Sequence, residues 1–341
     1  MPDVARWVDP LGTPVRIFGG RTNPPLRDYL FSLGVAWTFL RERRNYQLVY
    51  FLMQGLHLAV GLPVARFLSK PIVMKISGSN LIPLMQLSFL GRFELRSLKR
   101  WARRVMILNP GMVEEATSAG LPQDLLLWMP NPVDISQFVP CEAEQKQVLR
   151  QQAGVAPDAR VVIFVGRFAP EKQLGSLLDA FRIVVDRFPD ALLVLAGDGP
   201  EKQALEAHVQ RNGLGRNLRF PGRLQEKEVG DWLRLADVFT LTSSQEGFPV
   251  SLVEAMATEL PSVVSDIPAN TQLIEPDIHG LLAPVGDASA IAAGLCRLLG
   301  DEALQARMGK EARRRVVDNY STDKVIDRYE ALFAEALASA L

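Results

Sequence analysis

Short apolar runs alternate along this chain with longer segments whose apolar positions recur at three- and four-residue spacing. The first pattern reads as a strand buried on both faces, the second as an amphipathic helix. In the first part of the chain the pattern predicts strands at Val15–Phe18, Leu48–Met53, Ile72–Ile76, Val105–Leu108 and Leu125–Trp128. Helices are expected between them at Leu26–Arg41, Leu56–Leu68, Leu81–Arg104 and Met112–Ala119. Pro130-Asn131-Pro132-Val133-Asp134 is a turn cluster and a hinge. Beyond it, a polar helix (Cys141–Gln152) precedes strands Val161–Val165, Ala191–Ala196, Leu218–Phe220, Val238–Leu241 and Ser262–Ser265. Their helices are Leu174–Phe188, Pro200–Asn212, Lys227–Ala236, Asp287–Leu299, Asp301–Asn319 and Thr322–Leu341. This alternation implies βαβ units on parallel sheets, an α/β fold. The expected architecture is two Rossmann-like sheets joined near residue 135. An N-terminal domain spans 1–135 and a C-terminal domain 136–320, and the final helix, 321–341, crosses back to the first domain.

Composition narrows this little: 48% hydrophobic and 22% charged residues describe a globular chain. Two cysteines, Cys141 and Cys296, argue against a disulfide framework and for a reducing cytoplasm. Residues 1–14 contain Asp3, Asp9 and Pro10 and do not read as a signal peptide. Three scattered histidines do not suggest a metal site. Charge changes the picture more. Residues 1–140 carry 16 Lys+Arg against 9 Asp+Glu, and the remainder carry 22 against 29. A basic first half and an acidic second half imply different tasks, the first suited to an anionic partner. Within it, Leu81–Arg104 starts apolar and ends basic, with Arg92, Arg96, Lys99, Arg100, Arg103 and Arg104. It reads either as a core helix with a solvated end or as a helix lying on an anionic membrane surface. No further motif supports nucleic acid as the partner.

Candidate chemistry collects at the carboxyl ends of the second set of strands, where open α/β sheets bind ligands. Gly166 and Arg167 end the first of these strands, and Lys172 follows near a helix start. Two cations there suit a diphosphate, although each alone also reads as a solvated surface charge. Gly197 and Gly199 follow the next strand and let backbone approach a ligand, or simply make a tight turn. Gly222 follows the third, with Arg223 and Leu224 placed to meet a base through backbone groups. The fourth strand leads into Glu246-Gly247-Phe248-Pro249-Val250-Ser251-Leu252-Val253-Glu254. There a helix N-terminus that favours an anion lies between two carboxylates that accept hydroxyl hydrogen bonds. A nucleotide sugar has a diphosphate between two polyhydroxylated ends and would fit.

The stretch Val161–Pro284 resembles the donor half of the retaining GT-B glycosyltransferases of family four, the group 1 glycosyl transferases. The resemblance rests on Gly166-Arg167 with Glu171-Lys172, on Gly197-Asp198-Gly199-Pro200, on Phe220-Pro221-Gly222 and on the Glu246…Glu254 pair. Asn131-Pro132-Val133-Asp134 matches the family's inter-domain turn, with Pro132 in place of glycine. The resemblance implies two Rossmann-like domains facing across a cleft. It implies that Arg167 and Lys172 hold the donor diphosphate and that Glu254 takes the ribose hydroxyls. Glu246 would face the donor sugar, with Gly247, Phe248 and Pro249 shaping the pocket, and the N–H groups of Val250 and Ser251 would meet phosphate. No metal or other cofactor is expected, because fixed cations and a helix terminus stabilise a departing phosphate. The implied reaction transfers a hexose from a UDP- or GDP-linked donor to a glycan or lipid-linked acceptor, retaining configuration, in cell-surface polysaccharide synthesis.

The first half departs from the family pattern. Gly19-Gly20-Arg21-Thr22-Asn23-Pro24 lacks the glutamate of the family's glycine-rich loop, and about five strands are expected where about seven are usual. Two readings follow: Val15–Phe18 opens a divergent first βα unit, or it is a later strand and the N-terminal sheet is short of strands. Ser77 stands where the family often has histidine. His57 follows another strand and reads either as structural or as facing the cleft. Three other readings stay open: a GT-B remnant that binds a nucleotide sugar without efficient transfer, a sugar-nucleotide epimerase, and a nonenzymatic membrane adaptor.

Overall fold

The computed structural model describes Trp7–Val8, Pro14–Val15 and residues 24–338. Of the expected strand Val15–Phe18, residues 16–18 lie outside the described residues, as do residues 19–23 of the glycine-containing loop. The chain divides into two compact units, Met1–Met129 with Arg328–Leu341, and Pro130–Asp327.

In the first unit β1 (Trp7–Val8) pairs antiparallel with β2 (Pro14–Val15). Then follow α1 (Pro24–Arg41), β3 (Val49–Phe51), α2 (Leu56–Phe67), β4 (Ile72–Lys75), α3 (Leu81–Leu87), α4 (Phe89–Trp101), β5 (Ala102–Ile107), α5 (Gly111–Ser118) and β6 (Leu126–Trp128). Strands β3 to β6 form a parallel sheet in chain order. Crossovers that all step the same way put their helices on one face, because such connections are right-handed. β4 is buried along its whole length, as befits a strand covered on both faces.

The expected helix Leu81–Arg104 is not one helix. Ser88 is extended (φ −107°, ψ 153°) and its Oγ accepts the Gly91 N–H at 2.9 Å, capping a new helix. A Cβ on residue 91 would collide with the backbone of Met85, so glycine permits the sharp elbow between α3 and α4. Arg103 and Arg104 fall in β5, and Arg104 pairs with Glu335. The basic stripe that remains on α4 is Arg92, Arg96, Lys99 and Arg100, all exposed.

The second unit contains α6 (Ala143–Gln152), β7 (Arg160–Val165), α7 (Leu174–Arg187), β8 (Ala191–Ala196), α8 (Lys202–Arg211), β9 (Leu218–Gly222) and α9 (Glu226–Leu235). It continues with β10 (Val238–Leu241), α10 (Val250–Ala257), β11 (Ser262–Ser265), α11 (Pro268–Thr271), β12 (Gly280–Ala283), α12 (Ala288–Leu299) and α13 (Glu302–Asn319). Its sheet is six-stranded and parallel, in the order β12-β11-β10-β7-β8-β9. The chain builds outward from β7 to β9, returns beside β7, and builds the other way from β10. The order reverses between β7 and β10, and such a switch point leaves a crevice at the carboxyl ends of the strands. β12 and α11 were not expected from the sequence. β12 is a four-residue strand that opens on Gly280, where a Cβ would crowd the carbonyl of Ser262.

The last helix, α14 (Thr322–Ala338), belongs to both units, which divide between Asp327 and Arg328. At its start the Val133 N–H donates to the Tyr320 carbonyl and the Thr322 N–H to the Val133 carbonyl, at 2.9 and 3.1 Å. The two chain segments that leave the second unit are thus pinned side by side. Farther along, Leu332 and Ala336 pack on Val73 and Met106, covering the sheet face opposite α2 and α4. Lys75 is buried there and its Nζ donates to the Tyr329 hydroxyl at 3.0 Å.

Candidate active site

The crevice between β7 and β10 is built by two loops tied to each other. After β7 the chain passes Gly166 and Arg167 and makes one 3₁₀ turn, Pro170–Lys172, before α7 begins. After β10 it runs through Thr242, Ser243 and Ser244 to Glu246. The Thr242 hydroxyl donates to the Lys172 carbonyl (2.9 Å) and the Ser244 N–H to the Glu171 carbonyl (2.8 Å). Those bonds fix the backbone on both sides of the crevice. Across it, Lys172 Nζ meets Glu246 Oε1 at 2.5 Å, and the Ser243 hydroxyl donates to the same oxygen at 2.7 Å. Both charged side chains are largely buried, at 16% and 11% exposure, so the pair interacts in a medium of low polarity. Arg167 stands exposed at the strand tip and makes no ion pair or hydrogen bond with the described residues, which leaves its fork of donors available.

The glycines have a physical reason beyond loop flexibility. Gly197 sits at φ +150°, and a Cβ there would collide with the Gly166 carbonyl oxygen; at Gly199 it would collide with the backbone of Phe168. The Phe168 N–H donates to the Asp198 carbonyl and the Gly197 N–H to the Gly222 carbonyl, at 2.9 and 2.8 Å. The ends of β7, β8 and β9 are therefore laced into one rigid rim. Above it lies a cavity of about 720 Å³ lined by Gly166, Arg167, Gly197, Gly199, Arg223 and Leu224 among others. The structure thus brings together six residues singled out from the sequence. Arg223 is exposed and, like Arg167, unpaired among the described residues.

The segment leading into α10 is packed into the second unit. Phe248 and Pro249 are buried, and the Phe248 ring lies 6.1 Å from that of Tyr320, so these two brace the loop from behind. The Val250 N–H donates to the Phe248 carbonyl at 2.9 Å. α10 has no side-chain cap on its first turn, and Ser251 remains at its start.

Glu254 projects from α10 half-buried, and its carboxylate makes no ion pair or hydrogen bond with the described residues. Burial pushes its pKa up to about 7, and the nearby charge of Glu226 at the start of α9 adds to the rise. Glu254 is not among the residues lining the cavity. Sequence reasoning missed Thr242 and Ser243; their only signal was a run of small hydroxyl residues after an apolar strand. No group of three or more His, Cys, Asp or Glu able to hold a metal occurs among the described residues.

In the first unit, His57 contacts Met53 carbonyl oxygen through Nε2 at 3.0 Å and packs edge-on against Phe31. Burial lowers its pKa. Ser77 donates its hydroxyl to the Leu52 carbonyl at 3.0 Å.

The profile of the family described as glycosyl transferases group 1 matches residues 145–315, half of the chain. The chain belongs to that family. Among curated relatives, the phosphatidyl-myo-inositol mannosyltransferase of Mycobacterium leprae is 34% identical over 53% of this chain and 49% of its own length. The N-acetyl-alpha-D-glucosaminyl L-malate synthase of Bacillus anthracis is 29% identical over 55% of this chain and 49% of its own. The chain spans about half the length of the curated relatives it matches. Among solved structures, Anabaena HepE in complex with UDP-glucose superposes with a TM-score of 0.80 at 22% identity, over 94% of this chain and 86% of that one. With its two parallel sheets, the fold is GT-B. No helix of the described residues is long and apolar enough to cross a membrane.

Proposed function

We propose that this chain is a retaining glycosyltransferase. It moves a hexose from a UDP- or GDP-linked donor to a hydroxyl of a glycan or lipid-linked acceptor, in cell-surface polysaccharide synthesis. One observation carries the reading: the Lys172–Glu246 contact at the switch point, beside a cavity that bears Arg167 and two glycine turns. Arg167 and Lys172 hold the diphosphate and stabilise it as it leaves, with no metal taking part. Ser251 at the start of α10 adds a backbone donor. The base occupies the cavity beside Arg223 and Leu224, and Glu254 accepts the ribose hydroxyls. Glu246, held by Lys172 and Ser243, faces the donor sugar. HepE was solved with UDP-glucose, which supports a nucleotide-sugar donor for the shared fold.

The protein works in the cytoplasm at the inner face of a membrane. The elbow between α3 and α4 supports this, because exposed Leu84, Leu87 and Phe89 precede the basic stripe of α4.

Calorimetry with UDP, GDP and ADP, then with the matching sugar donors, tests the reading. Binding of one nucleotide, lost in Lys172→Ala, supports it. A Glu246→Ala variant that still binds nucleotide but transfers no sugar assigns Glu246 to the sugar. Binding of none of the three by the folded protein would leave only the fold.

A further inference from the structure

Helix α1 turns an apolar seam outward. Leu26, Leu30, Leu33, Trp37 and Leu40 follow at alternating four- and three-residue steps, with Tyr29 beside them, and each is between 41% and 54% exposed. At the pitch of an α-helix these side chains share one arc of roughly 100°. The opposite arc is already used. Ser32 is buried, Phe31 packs on His57 of α2, and Phe39 packs on Tyr46 and Phe51. The seam is therefore a second apolar face on a helix that already has one in the core, and contiguous exposed apolar surface marks an interaction site.

The charge around the seam selects the occupant. Arg27, Arg41, Arg43 and Arg44 are exposed along α1 and the turn after it. The acids beside them, Asp28 and Glu42, are paired with Arg27 and Arg41 at 3.2 and 3.6 Å, which leaves Arg43 and Arg44 in excess. α4 shares this helical layer, and its exposed charges are all cations, because Glu94 is buried. Two copies of α1 packed seam to seam would oppose arginine to arginine.

We propose that α1 is an in-plane anchor for an anionic lipid bilayer, with its seam at the acyl boundary and its arginines among the headgroups. An 18-residue helix is ~27 Å long, ample for lying in the interface. Tyr29 and Trp37 are the residue types that settle at that depth. The Arg41 guanidinium lies 4.8 Å over the Trp37 ring, so a cation reaches outward from an apolar base. This anchor does not depend on the catalytic reading, and it is a different element from the α3–α4 elbow.

Co-sedimentation of the full chain with phosphatidylcholine vesicles, with and without phosphatidylglycerol, tests it. The chain binds the anionic vesicles at least about tenfold tighter, and salt weakens the binding. Leu33→Ser with Trp37→Ser abolishes most of that binding while melting temperature and nucleotide binding hold. Should that pair unfold the protein, Arg43→Glu with Arg44→Glu, which spares the seam, gives the same loss. Brominated acyl chains quench wild-type fluorescence more than that of Trp37→Phe. Binding that survives both sets of substitutions overturns the anchor. Binding lost only in Leu87→Ser with Phe89→Ser moves the contact to the elbow. A dimer dissolved by the seam substitutions, with no vesicle binding, gives the seam to a protein partner instead.

Discussion

Lys172 and Glu246 are 74 residues apart in the chain and 2.5 Å apart in space, joined across the point where the strand order of the second sheet reverses. Neither side chain reaches the other through its own element. β7 and β10 are neighbours only because the chain returns to the middle of the sheet after β9. The topology thus brings a cation and an acid together at the mouth of one crevice.

Removing Lys172 leaves Glu246 largely buried without its cation. Lys172→Ala is expected to lose about 1–3 kcal/mol of stability, less than a fully buried pair because both groups keep some solvent. Its affinity for a nucleoside diphosphate falls at least about tenfold, the equivalent of ~1.4 kcal/mol. Glu246→Gln keeps the Ser243 bond and retains nucleotide affinity while losing transfer. Thermal melts and calorimetry on the two variants check this. Undiminished affinity in a folded Lys172→Ala protein would place the diphosphate elsewhere.

The limits of sequence reading lie where tertiary contact decides. Ala191–Ala196, Val238–Leu241 and Ser262–Ser265 were read with their observed bounds, because buried parallel strands are continuous apolar runs with polar or glycine borders. In Gly280–Ala283 the apolar run is only three residues long before Pro284, too short to stand out without its pairing to β11. Apolar periodicity continues through Ser88, so it hid an elbow set by a cap and by the missing side chain of Gly91. The positions of Arg167 and Lys172 beyond the end of β7 were legible in the sequence. The support given by Thr242 and Ser243 was not, because a hydroxyl takes whatever partner the fold brings to it.

The glycines of the rim separate two kinds of constraint. Gly197→Ala and Gly199→Ala push a Cβ into neighbouring backbone that cannot move without parting β7 from β8, so each is expected to cost about 2–4 kcal/mol. Gly222→Ala meets open space and bears only the strain of φ +82°, about 1 kcal/mol. Gly175→Ala lies in α7 with nothing nearby and should stabilise by roughly 0.5–1 kcal/mol. Urea unfolding of the four variants gives the order directly. Equal losses at Gly199 and Gly222 would mean that the rim yields.

The α14 contact with the first sheet rests partly on a polar cluster. Lys75 donates to Tyr329, whose hydroxyl lies 3.3 Å from that of Tyr50, and burial raises the Tyr50 pKa. Tyr329→Phe removes one acceptor of Lys75 and is expected to destabilise by about 0.5–1.5 kcal/mol, the net worth of an ordinary hydrogen bond. Hydrogen exchange should then rise along α14 after Arg328 more than in β7 or β8. Uniform exchange along the chain would assign the effect to global stability.

Glu254 makes the protein pH-sensitive in a definite direction. Its carboxyl has a pKa of about 7 in the folded chain, above the usual ~4.3 of an unfolded one. Between those values the folded state holds a proton that the unfolded state has released, so this group's contribution to stability falls as pH rises from about 4.5 through 7. Glu254→Gln removes that slope: relative to wild type, the variant is more stable at pH 8 than at pH 4.5. Ligand binding runs the other way. If the ionised form accepts two ribose hydroxyls, nucleotide affinity climbs with pH through 7 and binding near pH 6.5 releases a proton. Calorimetry in buffers of different ionisation enthalpy detects that proton. The same titration on Glu254→Gln should be weaker and flat with pH. A wild-type affinity equally flat across pH 6–8 would remove Glu254 from the nucleotide site, whatever its effect on stability.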